Sequence, residues 1–111
     1  MANRVDPRHL VRLRVHLKGT DRSGNPFAQT VFTHDVSARG ARLLETPPLL
    51  SPASDVKLEY RGKKARFRVV WIGDMADNQV GVLSLEPGRC IWGNPLPGTP
   101  ISARKPISAS T

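Results

Sequence analysis

The sequence predicts an all-β protein, an antiparallel barrel or sandwich of six short strands, and three observations carry that expectation. From Val11 to Lys18 the apolar residues Val11, Leu13, Val15 and Leu17 alternate strictly with Arg12, Arg14, His16 and Lys18, the period-two signature of a half-buried strand. Clusters of Gly, Pro, Asp, Asn and Ser then punctuate the chain at short intervals, each supplying the backbone freedom or constraint of a turn. No stretch carries apolar residues at helical spacing. The 111 residues suit one domain, and no linker divides two cores. With 39% hydrophobic residues and only six aromatics (two Trp, one Tyr, three Phe), the core is expected to be mostly Val and Leu, which suit a small closed sheet.

In chain order, Arg4-Val5-Asp6-Pro7-Arg8 comes first. Pro7 fixes its own φ and drives Asp6 out of the α region, so the two arginines ride on an extended or turned segment. An arm of residues 1–10, mobile when free, is expected. The first strand is Val11 to Lys18, and Asp21-Arg22-Ser23-Gly24-Asn25-Pro26 is the turn after it. Ala28 to His34 is the second strand and Ala41 to Glu45 the third. Three prolines exclude a helix or central strand from Thr46 to Pro52, which reads as a connection. Val56 to Tyr60 resumes the alternation, Arg61 to Lys64 is a tight basic turn, and Ala65 to Ile72 is a long apolar strand. After a turn from Asp74 to Asn78, Gln79 to Leu85 supplies the sixth strand, with Val80, Val82 and Leu83 offered to the core and Gly81 permitting close backbone approach. Ile91 and Trp92 are expected to pack on the barrel, which spans 11–92. Pro95, Pro97, Pro100 and Pro106 prevent a stable helix, so 93–111 reads as a flexible Pro-rich tail.

Chemistry concentrates in Asp35-Val36-Ser37-Ala38-Arg39-Gly40, between the second and third strands. Asp35 and Ser37 are two apart and project to the same side of an extended chain. Gly40 permits a positive φ or a close approach to the main chain. Alone, the segment reads as an Asx or Ser turn at a hairpin corner. R-x-x-x-R (Arg4, Arg8) followed by a hydrophobic strand and then D-x-S-x-x-G (Asp35, Ser37, Gly40) resembles the PilZ family, bacterial receptor domains for cyclic di-GMP. The likeness runs on through Gly24-Asn25-Pro26-Phe27 and Arg66 to Trp71 as far as Glu86-Pro87-Gly88, about the first ninety residues.

The resemblance implies a six-stranded antiparallel split barrel and a receptor module for cyclic di-GMP; with a mobile arm and no catalytic constellation in the sequence, the expectation is a cytoplasmic, non-enzymatic module that reorders its N-terminal arm on binding and signals to a protein partner. Arg4, Arg8, Asp35, Ser37 and Gly40 would then surround the nucleotide. Arginine forks pair bidentately with guanine O6/N7 or with phosphate, and Asp35 accepts from guanine N–H donors. Ser37 donates to a phosphate oxygen or the base, and Arg39 is a further candidate for phosphate. Arg8-His9-Leu10-Val11-Arg12 also reads R-x-x-x-R, although Arg12 falls on the first strand's outer face. Asn3 stands where many family members carry another arginine, so one nucleotide or a stacked pair both remain open. The family's frequent C-terminal helix has no counterpart here.

The remaining composition narrows the alternatives. A net charge of +8 favours an anionic partner. Cys90 is the single cysteine, which leaves no intrachain disulfide and no cysteine metal site. His9, His16 and His34 have no partnered nucleophile, so no catalytic residue, metal or cofactor is expected. No apolar run approaches the roughly 20 residues of a membrane span, and the charged N-terminus is unlike a signal peptide. Two rival readings stand beside the receptor. One is a small basic barrel for single-stranded nucleic acid, against which the few aromatics count; the other is a PilZ-like protein-interaction domain without nucleotide binding.

Overall fold

The computed structural model describes residues 7–46, 50, 52–73, 78–86 and 88–101, and among them every regular element is a strand. They are β1 (Arg8–Leu10), β2 (Arg14–Thr20), β3 (Pro26–Ser37), β4 (Gly40–Leu44), β5 (Asp55–Tyr60), β6 (Lys63–Ile72), β7 (Val80–Ser84) and β8 (Thr99–Ile101). Six of them follow in the order β2-β5-β6-β7-β4-β3, and β3 pairs back onto β2. The sheet therefore closes into the expected six-stranded antiparallel barrel. Closure removes the edges that an open sheet of this size would expose.

Alternation decides which side chains go inside. Val15 and Leu17 of β2, Val31 of β3, Leu43 of β4, Val56 and Leu58 of β5, Ala65, Phe67 and Val69 of β6 and Val80 and Val82 of β7 are all buried. Ile91 and Trp92 are buried with them, Trp92 tilting against Tyr60 and Phe67. Leu83, expected in the core, is instead 49% exposed. It neighbours Val82 in a period-two strand, so the two cannot both face inward. Leu83 lies outside, opposite Gly40 and Arg68.

Two strands stand beyond the six. β3 is long enough to take β2 along its first half and β1 along its end, where Arg8, His9 and Leu10 oppose Ser37, Val36 and Asp35. β1 and β2 are separated because the buried Thr33 hydroxyl enters the ladder, donating to Val11 O at 2.6 Å and accepting from Leu13 N at 2.9 Å. The expected first strand therefore begins three residues late. β8 pairs with the other edge of β1, so within the arm 1–10 and the tail 93–111 residues 8–10 and 99–101 are ordered as strands. Gly98 takes φ +91° where the chain passes close to Leu10 O, and His9 Nδ1 lies 3.1 Å from Pro97 O. Pro100 is tolerated because β8 is an outer strand.

Arg4 and the rest of 1–6, Pro47 to Leu49 and Ser51 of the proline connection, residues 74–77 of the last turn, and 102–111 of the tail lie outside the described residues. No helix among the described residues is long and apolar enough to cross a membrane.

Candidate functional site

The site is built where β1, β3 and β4 run side by side. Ala38 and Arg39 form a two-residue hairpin loop, so Val36 opposes Ala41 and Asp35 opposes Arg42. The register then slips by one residue, leaving His34 as the extra residue of a bulge. A bulge re-aims a side chain, and here the His34 ring lies on the same carboxylate that faces Arg42. Asp35 is 1% exposed, yet it is surrounded by donors. Arg8 donates to Oδ1 from Nε at 2.9 Å and also from Nη2. His34 Nδ1 is 2.7 Å from Oδ2. Arg42 Nε approaches Oδ2 at 3.4 Å without hydrogen-bond alignment and is buried with no hydrogen-bond partner among the described residues. A buried carboxylate is tolerable only when paired and hydrogen-bonded in this way.

Across the outer face the same row continues through Gly81 of β7 to Trp71 of β6. A Cβ on Gly81 would fall within the Trp71 indole, so the missing side chain lets the ring lie flat over the backbone. The Arg42 guanidinium sits 5.8 Å from the Trp71 ring centroid, and Trp71 is 38% exposed. An aromatic face, two guanidinium groups and a buried carboxylate thus occupy one row on the outside of the barrel.

Of the residues named from sequence, Arg8, Asp35, Ser37 and Gly40 come together. Ser37 is buried beside the loop and opposes Arg8 in the β1–β3 pairing. Gly40 does not take a positive φ; it is required by close approach, since a Cβ there would lie 2.7 Å from Val82 O. Arg39 is exposed in the loop and engaged in an interaction of its own. Arg4 lies outside the described residues. Arg12, the alternative second arginine, faces away over Phe32 at 4.1 Å and reaches Glu45 at 3.6 Å. Sequence reasoning missed His34, Arg42 and Trp71. Arg42 was within reach, because a two-residue loop fixes its register opposite Asp35. His34 and Trp71 depend on bulges that no residue type announced.

Among the described residues no group of three or more His, Cys, Asp or Glu side chains is placed to hold a metal ion. No protein-family model matches the chain, and no curated protein matches it.

Proposed function

We propose that the protein is a cyclic di-GMP receptor of the PilZ type, in which Arg8 and Asp35 are held on each other until the nucleotide parts them. The observation that supports this reading most directly is the Arg8–Asp35 pair itself. A guanidinium 43% exposed caps a carboxylate 1% exposed, so each group is a ready partner for a guanine or a phosphate once the other moves. Arg8 then forks onto phosphate or guanine O6/N7, and Asp35 accepts from guanine N–H groups that adenine lacks in that geometry. Trp71 and Arg42 offer flat surfaces on which a purine stacks.

The output follows from where Arg8 sits. Moving it strains β1, a three-residue strand whose other edge carries β8, and a protein partner reads the rearranged edge. Calorimetric titration of the purified protein tests the reading. Cyclic di-GMP is expected to bind at micromolar or tighter affinity, cyclic di-AMP and GTP more weakly, and Asp35→Asn to abolish the difference between guanine and adenine. Absence of heat with cyclic di-GMP on folded protein, or equal affinity for both cyclic dinucleotides, overturns it.

A further inference from the structure

Away from Asp35, the turn joining β5 to β6 borders a concavity of about 410 Å³ between Tyr60, Arg61 and Lys63 on one side and Ile91, Trp92 and the strand-less segment to Pro97 on the other. That volume lies within the range of small-molecule sites. Its apolar wall is Tyr60, Pro95 and Pro97, backed by the buried Ile91 and Trp92, with the Tyr60 and Trp92 rings 5.8 Å apart. Among the described residues its charged groups are the two cations Arg61 and Lys63, and no carboxylate lines it.

The turn itself adds a second observation. Arg61 has φ +53° and Gly62 φ +84°, the two positive values of a type I′ hairpin turn, where Asn-Gly is the favoured pair. An arginine in the left-handed region is strained, and observed strain of this kind is a reason to look for a role. The strained backbone carries the Arg61 guanidinium over Tyr60, 6.0 Å from its ring centroid, at the mouth of the concavity.

We infer that this concavity binds a small molecule with an aromatic body and one carboxylate: the ring packs on Tyr60, Pro95 and Pro97 above the buried Trp92, while Arg61 and Lys63 hold the anion. Both features are needed, since a ring contributes the contact with Tyr60 and the prolines and an anion the contact with the two cations at the mouth. The site shares no residue with the Arg8–Asp35 row, so it stands whether or not a cyclic dinucleotide binds there.

The test uses the full chain, two-dimensional NMR of its two indole N–H signals, and three probes: 4-phenylbutyrate, its neutral analogue 4-phenyl-1-butanol, and butyrate. A Trp71→Phe spectrum assigns the Trp92 signal. 4-Phenylbutyrate is expected to shift Trp92 saturably and leave Trp71 in place, the alcohol to bind at least ~10-fold more weakly, consistent with losing a charged contact, and butyrate to do nothing measurable. Arg61→Asn restores the favoured turn pair, so its melting temperature is expected to hold or rise by a few degrees while 4-phenylbutyrate affinity falls about tenfold. Lys63→Gln is the second variant and is expected to weaken binding in the same direction. Equal affinity for acid and alcohol, shifts at Trp71 rather than Trp92, or Arg61→Asn and Lys63→Gln both binding like the original chain would each overturn the inference.

Discussion

Replacing Arg8 by Ala strips from Asp35 the only partner among the described residues that makes two hydrogen bonds to it. Hydrogen bonds to a charged group contribute about 1.5–3 kcal/mol each in mutational series. The Arg8 side chain is 43% exposed, and solvent screening reduces such contributions; His34 and Arg42 also stay beside the carboxylate. A loss of about 1–2 kcal/mol is therefore expected for Arg8→Ala, equivalent to roughly 4–15 °C in melting temperature for a domain of this size. Asp35→Asn should destabilise comparably, because it leaves two guanidinium groups around a neutral amide. The discriminating quantity is the double mutant. Urea unfolding followed by tryptophan fluorescence on both single variants and the pair should give a coupling of about 1 kcal/mol, the double mutant being little worse than either single one. Effects that add to within about 0.3 kcal/mol would mean that the two residues do not hold each other in solution.

Gly40→Ala places a Cβ 2.7 Å from Val82 O, so β4 and β7 must separate locally; a loss of about 1–3 kcal/mol is expected in denaturant unfolding, and an unchanged midpoint would contradict the packing. Thr33→Val keeps the shape but leaves Leu13 N and Val11 O without the hydroxyl between them; about 1–3 kcal/mol should be lost, against no change if water replaces the hydroxyl. Glu86 has its pKa held below 4.5, first by the Arg66 backbone N–H at 2.8 Å and then by the nearby Arg66 and Arg89 charges. A depressed carboxylate adds stability that is present above its unfolded pKa and lost as pH falls through the folded value. Glu86→Gln should thus narrow the stability difference between neutral and acid pH, with the variants converging below pH 4.5; parallel pH profiles would exclude the contribution.

The barrel was legible because each strand carried its own inside-outside code. Val15, Leu17, Val56, Leu58, Phe67 and Val69 are buried where alternation places them; four of the barrel pairings join consecutive strands, while β2–β5 and β4–β7 are long-range pairings that no turn residue marks. Leu83 was misread because the adjacent apolar residues Val82 and Leu83 were both assigned inward against the period-two rule; the alternation from Val80 through Val82 puts Leu83 outside, opposite Gly40 and Arg68. The two added strands were not legible for a different reason. β1 and β8 have three residues each, too few to show a period, and they exist because β3 extends past β2 and offers an unpaired edge. In the site, Asp35, Ser37 and Gly40 could be read from one short segment. Arg8 needed a contact 27 positions away in sequence, and Trp71 needed a bulge in β6 together with a glycine on the neighbouring strand.

That β1 is short and lies outside the closed barrel has a mechanical consequence for the proposed receptor. A ligand that uses both Arg8 and Asp35 meets them already paired, so its apparent affinity is reduced by the fraction of molecules in which the pair is open. A pair worth about 1–2 kcal/mol leaves on the order of 3–16% open at equilibrium, weakening binding by roughly 6- to 30-fold relative to an open site. What sets that fraction is local, since segments with few contacts open far more readily than the core. Gly98→Ala addresses it directly: at φ +91° a Cβ meets Leu10 O and Val11 Cβ at 2.5 Å, which pushes β8 off β1 and presses on the barrel only at Val11. Amide exchange at His9 and Leu10 should then accelerate while Val15, Leu58 and Val69 stay protected. At the same time the Arg8–Asp35 coupling should shrink, and cyclic di-GMP affinity should rise as the pair opens more often. If β1 and barrel amides accelerated together, the arm would be an integral part of the barrel, and a ligand would have no independent element to move.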